Sequence, residues 1–71
     1  MNEDFEPTPQ QERVLEVFAG EGRCNPRLVR EQTGLPKQRV NDALRDLVNA
    51  GWIRHVTRGL YEFVGDPRND T

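Results

Sequence analysis

Apolar residues early in the chain recur at the three- and four-residue spacing of an amphipathic helix. The start signals come just before them, because Thr8 can cap a helix, Pro9 suits its first position and Gln11 completes a capping box. Gly20 and Gly22 mark its end. The pattern predicts a first helix with an apolar face formed by Val14, Leu15, Val17 and Phe18.

The same signals predict two further helices. Asn25 can cap a helix over 26–33, which Gly34 ends, and a third helix covers 36–49 before Gly51. Because the two are joined by a turn of only three or four residues around Thr33-Gly34-Leu35, they form a helix-turn-helix arrangement. The residues expected to be buried are Leu28 and Val29 in the second helix, and Val40, Ala43, Leu44, Leu47 and Val48 in the third.

After residue 51 the helical spacing gives way to short runs rich in β-branched and aromatic residues. Two strands, 52–56 and 60–64, are separated by Thr57-Arg58-Gly59, which predicts a β-hairpin with a three-residue loop. The expected fold class is mainly α with a small β-hairpin. The predicted organisation is a flexible acidic arm over 1–7, a folded domain over 8–64 and a polar tail over 65–71.

The middle of the chain resembles the winged helix-turn-helix domains of MarR-type regulators, on the strength of residues 33–54, TGLPKQRVNDALRDLVNAGWIR. In that family a threonine-glycine-leucine turn opens the recognition helix, and a leucine-rich end leads through a glycine into the first wing strand. The ending RGLYEFV over 58–64 is similar to small winged-helix proteins of halophilic archaea or archaeal viruses. The resemblance implies a three-helix winged helix-turn-helix fold and sequence-specific binding of double-stranded DNA by a small transcriptional regulator, a repressor.

The charges are unevenly distributed, although the net charge is only −2. Residues 1–21 contain six acidic residues and one Arg, whereas residues 22–61 contain eight basic residues and three acidic ones. Because the local field decides what a surface attracts, the middle of the chain suits a polyanion. Nine of the ten basic residues are Arg, whose planar donors fit phosphates and guanine edges, although GC-rich coding also favours Arg.

The third helix, 36–49, is the one that enters the major groove in the winged-helix family, and its polar side has the chemistry for reading bases. Amides such as Gln38 and Asn41 can pair with adenine, and guanidinium groups can pair with guanine. The same composition is also typical of a solvated helix face. Asp42 would repel phosphate unless it pairs with a neighbouring Arg or a cytosine amine. The candidate DNA-binding residues of this helix are Lys37, Gln38, Arg39, Asn41 and Arg45.

Two arginines outside the third helix are candidate phosphate contacts. Arg27 lies in the first turn of the second helix, where free amides favour phosphate. Arg58 lies at the tip of the hairpin, and the corresponding wing (52–64) contacts the backbone or the minor groove in the family. For Arg58 the alternative is an ordinary exposed turn residue without a ligand. His55 is expected to be a strand residue rather than a pH-sensitive contact, and Cys24 an inert cysteine.

Other classes of protein find little support in the sequence. With one His, one Cys, no Gly-rich phosphate loop and no metal-ligand spacing, we expect no enzyme, no cofactor, no metal and no small-molecule ligand. No apolar run is long enough to cross a membrane, and the acidic start does not resemble a signal peptide, so a cytoplasmic location is expected. The alternative function is a winged-helix protein-interaction module that uses the acidic first helix. A homodimer and a monomer both remain open.

Overall fold

The computed structural model describes residues 2–69, which form three helices, a small sheet and a 3₁₀ turn at Pro67–Asn69. The helices are α1 (Pro9–Glu21), α2 (Pro26–Thr33) and α3 (Lys37–Ala50). The strands are β1 (Arg23–Cys24), β2 (Ile53–Thr57) and β3 (Leu60–Phe63). The prediction of a mainly α, three-helix winged helix-turn-helix fold is confirmed.

The helices begin where the capping signals predict. In α1 the Thr8 Oγ1 accepts a hydrogen bond from the Gln11 N–H (3.2 Å), and Gln11 Oε1 accepts one from the Thr8 N–H (2.9 Å). Asn25 caps α2 by accepting a hydrogen bond from a backbone N–H three residues later. Pro36 occupies the N-cap position of α3 with an extended backbone (ψ of 156°) and no side-chain hydrogen bond, so the helix begins at Lys37 and not at residue 36.

Glycines end α2 and α3 in a backbone conformation that other residues rarely adopt. Gly34 has a φ of 72° and Gly51 a φ of 80°, both in the left-handed region. Because Gly34 stops α2 sharply, only residues 34–36 separate α2 from α3. This confirms the short turn of the helix-turn-helix.

The sheet has one strand more than the predicted hairpin, in the order β1-β3-β2. β1 pairs antiparallel with β3, with Arg23 opposite Glu62 and Cys24 opposite Tyr61. A strand of two residues has no periodic signal of its own, since it is defined only by pairing with a strand far along the chain. The sequence prediction therefore missed it.

The hairpin is shorter at both ends than predicted. Trp52 precedes β2, and Val64 follows β3. The predicted three-residue loop is also wrong in detail, because Thr57 belongs to β2 and pairs with Leu60. A register shift between His55 and Thr57 places an extra residue in β2 and allows that tight connection.

The core is formed by one face of each helix, β1 and the beginning of β2. Leu28 and Val48, which were expected to be buried, lie half-buried at its edge together with Phe63. The buried apolar residues are Val14, Leu15, Val17, Phe18, Cys24, Val29, Leu35, Val40, Ala43, Leu44, Leu47, Ala50, Trp52 and Ile53.

Both ends of the described chain pack against Trp52. The Trp52 Nε1–H donates to the Asn2 carbonyl (2.8 Å), and the Phe5 ring meets the indole edge-on at 5.2 Å. The Arg68 guanidinium lies 5.1 Å from the indole centroid. We call these four residues the Trp52 clasp. The boundaries at 7 and 65 and the flexibility of the arm stay predictions, and residues 1, 70 and 71 lie outside the described chain.

Candidate nucleic-acid interface

The exposed side of α3 is the candidate interface. Because Val40, Leu44 and Leu47 face the core, the 3.6-residue period places the polar residues of the helix on the other side. The structure places five of the predicted site residues within the first nine positions of α3, all exposed: Lys37, Gln38, Arg39, Asn41 and Arg45.

These residues do not form a single stripe. Asn41 and Arg45, four residues apart, lie on the side of α3 that faces the hairpin. Arg39 lies seven residues before Asp46 and therefore shares its flank, which faces α1 through a hydrogen bond from Gln11 to Asp46. A ligand lying along α3 would therefore meet Arg39 on one side and Asn41 on the other.

A cleft of about 240 Å³ separates α3 from the hairpin. His55 and Tyr61 are cross-strand partners, and their rings stack with centroids 4.7 Å apart and planes 11° from parallel. This aromatic pair faces amide and guanidinium groups across the cleft. The lining residues are Asn41, Arg45, Val48, Asn49, His55 and Tyr61.

The sequence prediction did not include the residues that complete this cleft. Asn49 follows Arg45 by four residues, so the helical period alone could have added it to the exposed side of α3. His55 and Tyr61 could not have been found in this way, since their position against α3 depends on how the sheet packs on the helices. Tyr61 also packs at the edge of the core, and Trp52 lies within the core.

Ion pairs divide the basic residues of the candidate site into two groups. Within residues 2–69, no carboxylate lies within salt-bridge distance of Lys37, Arg39 or Arg58. Arg45, in contrast, is 3.4 Å from Asp42, so the carboxylate that is unfavourable near phosphate has an arginine partner. The first group has free positive charge to offer to a polyanion.

Arg27 lies apart from the α3 residues, in the first turn of α2. Its Nε donates to Glu31 Oε1 at 3.1 Å, one turn along the same helix. Both side chains remain largely exposed, at 80% and 61%, so this pair is weak and a phosphate could compete for the guanidinium.

The tip of the hairpin presents Arg58 to solvent, beside Gly59 with its φ of 77°. Further down the sheet, Glu62 accepts hydrogen bonds from Arg23 (2.8 Å) and from Arg54 (2.7 Å) on the two flanking strands. These bonds hold the pKa of Glu62 below its usual value. Arg54 of the wing therefore has a partner within the sheet, whereas Arg58 at the tip has none among residues 2–69.

The structure offers no other reactive centre in its described part. Cys24 is buried, and burial together with the nearby Glu21 raises the pKa of its thiol, which makes it a poor nucleophile. No group of three or more His, Cys, Asp or Glu side chains within residues 2–69 could hold a metal ion. No helix of that part is long and apolar enough to span a bilayer.

The short turn between α2 and α3, the exposed basic side of α3 and the adjoining hairpin define a winged helix-turn-helix domain. Residues 6–59 of the 71 match the MarR family, and the chain belongs to that family. Comparisons with curated proteins and with solved structures found no match. Membership of the MarR family indicates a DNA-binding transcriptional regulator, and the family is regulatory rather than enzymatic.

Proposed function

We propose that this chain is a transcriptional repressor that recognises a specific sequence in double-stranded DNA and acts by occupying a promoter. The observation that supports this most directly is the unsatisfied polar surface of α3. Within residues 2–69, Lys37, Gln38, Arg39 and Asn41 are exposed and their side chains make no hydrogen bond or ion pair. Such a surface can pair with DNA without first losing contacts within the protein.

In the proposed binding mode, α3 (Lys37–Ala50) enters the major groove, which is wide enough for one α-helix. Gln38 and Asn41 pair with adenine, and Arg39 and Arg45 with guanine. Each good bidentate pair contributes about 1–3 kcal/mol of discrimination against the wrong base. Lys37 contacts the backbone beside them.

Two further contacts fix the register of the domain on the duplex in this proposal. The wing at 52–64 lies on the backbone or in the minor groove, with Arg58 reaching a phosphate. Arg27 reaches a second phosphate from the beginning of α2 through its guanidinium, because Pro26 has no N–H and the Leu28 N–H is already bound by the Asn25 side chain. An intracellular location follows from this function and is part of the proposal.

The proposal is tested by titrating the protein into a labelled duplex at increasing salt concentration and measuring anisotropy. If α3 and the wing bind phosphates, log Kobs falls linearly with log salt, with a slope of about −0.9 for each neutralised phosphate. Affinity that does not change with salt, or no duplex binding at low salt, would contradict the proposal.

The alternative, a protein-interaction module, has one observation in its favour. A groove of about 380 Å³ between α1 and residues 63–68 is lined by the apolar Leu15 and Phe63, by Arg68, and by the carboxylates of Glu12, Glu16 and Asp66. A basic partner would be attracted by Glu16 but would have to compete with Arg68 for Glu12 and Asp66, with which Arg68 already pairs. Duplex binding distinguishes the two functions, since the alternative predicts none at low salt.

A homodimer would let two copies recognise two half-sites and so raise affinity. The mass in solution decides this, because a monomer has 8.2 kDa and a dimer twice that mass. Light scattering of the protein alone, and of the protein with a duplex that it binds, measures this mass. If the protein is a monomer by itself and its share of the complex mass corresponds to a dimer, the duplex assembles the dimer.

A further inference from the structure

Arg45 lies between two carboxylates on the exposed side of α3. Its Nη2 is 3.4 Å from Asp42 Oδ1, and its Nε is 3.8 Å from Asp46 Oδ1. The exposed fractions of the three side chains are 66%, 46% and 42%, so these pairs contribute little to stability, about 0.2–1 kcal/mol for a pair of this kind. The stability that these ion pairs add is therefore too small to explain why two acidic residues lie beside Arg45.

Asp46 is in turn held by α1. Gln11 Nε2 donates a hydrogen bond to Asp46 Oδ2 at 3.0 Å, while Gln11 Oε1 accepts the Thr8 N–H in the capping box. Gln11 is only 9% exposed, and both ends of its amide have a partner. Asp46 Oδ2 is thus bound to a fixed group, which leaves Oδ1 for Arg45.

Two flanking carboxylates change what an arginine can bind. A phosphate has a net negative charge and is repelled by both, whereas a guanine edge is a neutral acceptor pair and is repelled far less. Arg has five N–H donors, so the two contacts of Arg45, through Nη2 and Nε, leave donors of the guanidinium for a base edge. A guanidinium that two carboxylates attract toward one position also loses somewhat less side-chain entropy when it meets a base.

We propose that Asp42 and Asp46 set the DNA selectivity of α3, because they hold the Arg45 guanidinium for a base edge and oppose its use on phosphates. Gln11 is the positioning residue for Asp46. This inference rests on the proposed function. Arg39, which has no carboxylate within salt-bridge distance among residues 2–69, also pairs with guanine but is free to bind phosphate on other sequences, so it discriminates less than Arg45 does.

The test compares two duplexes, one selected from a random pool by the wild-type chain and one scrambled duplex of the same composition, at one fixed salt concentration. The selectivity is the ratio of the two Kd values. Asp42→Asn should bind the scrambled duplex several-fold more tightly and lower the selectivity about tenfold, the effect of one lost discriminating contact.

Glu16→Gln is the matched control, because it removes the same charge from the exposed side of α1 and leaves α3 unchanged. It should alter both Kd values by the same small factor, so that the selectivity stays constant. An equal fall in selectivity for Glu16→Gln and Asp42→Asn would overturn the inference, since net charge alone would then explain the effect.

A double-mutant cycle tests whether Asp46 acts through Arg45. Asp46→Asn should lower the selectivity of the wild-type chain but leave that of Arg45→Ala unchanged. A merely structural role would instead lower the melting temperature and reduce selectivity equally in both backgrounds, which would contradict the positioning role.

The possible outcomes distinguish a failure of the proposed function from a failure of the inference on Asp42 and Asp46. If the wild-type chain itself binds both duplexes equally, the proposed sequence-specific function fails and this inference fails with it. If the wild-type chain is selective and both Asp variants keep that selectivity, the inference alone is wrong and the proposed function stands.

Discussion

The Trp52 clasp and the exposed side of α3 use the same residue type in opposite ways. In the clasp, Arg68 Nη2 donates to Glu12 (2.6 Å) and to Asp66 (2.7 Å), and its guanidinium lies over the indole of Trp52. On α3, Arg39 has no carboxylate partner within residues 2–69. An arginine with its donors satisfied joins segments of the fold, whereas one without partners is available to a ligand.

This difference follows from where the acidic residues fall in the chain. The acidic first segment supplies Glu12, and the end of the chain supplies Asp66, so both partners of Arg68 lie at the clasp. The first half of α3 has no acidic residue before Asp42. A net charge of −2 therefore coexists with an unneutralised basic surface.

The largest effect is expected from removing the centre of the clasp. Trp52→Ala should lower the free energy of unfolding by about 3–5 kcal/mol, because it leaves a cavity where α3, β2 and both ends of the chain meet. Urea unfolding followed by circular dichroism measures this. Val64→Ala is the control, since Val64 is 48% exposed and should change stability by less than about 0.5 kcal/mol. Equal losses would show that Trp52 is not a packing centre.

The next effect is expected on α3 and leaves the fold intact. Arg39→Ala or Asn41→Ala should relax base preference by about 1–3 kcal/mol at the contacted position, because each removes a bidentate partner. Sequence selection with each variant measures the preference, and the melting temperature should remain close to that of the wild type. An unchanged preference would mean that these residues contact only the backbone.

A smaller and uniform effect is expected at the hairpin tip. Arg58→Ala should weaken binding to all duplexes alike and reduce the salt slope by about 1, the loss of one phosphate contact. Arg54→Ala is the control, because Arg54 already pairs with Glu62 and should leave the slope almost unchanged. If both variants lower the slope equally, pairing within the protein does not decide which arginine binds DNA.

The smallest effect is expected on acidifying the clasp. The hydrogen bonds from Arg68 lower the pKa of Asp66, so its contribution to stability is complete above the ordinary carboxyl range and is lost as pH falls through the lowered pKa. Trp52 is the only tryptophan of the chain, so its fluorescence should report the release of Arg68 in that acidic range. In Asp66→Asn this transition should be absent, and a transition of undiminished size would exclude Asp66 as its cause.

Local signals explain why the helices could be predicted from the sequence. The residues that begin and end the helices form hydrogen bonds within a few positions of themselves, so the signal and the structure that it causes lie in the same short stretch of sequence. These residues are Thr8, Asn25, Gly34 and Gly51. The exposed side of α3 follows from the same helical period. That this side of α3 contacts DNA is a prediction from the chemistry of its side chains and from membership of the MarR family.

Contacts between distant segments could not be predicted in this way. The Trp52–Asn2 hydrogen bond joins residues 50 positions apart, and the strand β1 exists only through its pairing with β3. The hydrogen bond from Gln11 to Asp46 spans 35 positions. Each of these contacts depends on how the helices and the sheet pack together, which no local sequence pattern indicates.

The central claim is that DNA contacts the cations of α3 and the wing tip that have no carboxylate partner among residues 2–69. It does not contact Arg68, the cation of the Trp52 clasp, which pairs with Glu12 and Asp66. Backbone amide chemical shifts, recorded by NMR while the selected duplex is added, test this residue by residue. The account predicts the largest changes over 37–45 and 57–60, with little change in α1 and near Arg68. Changes concentrated in α1 and around Arg68, with α3 and the hairpin tip unaffected, would contradict it.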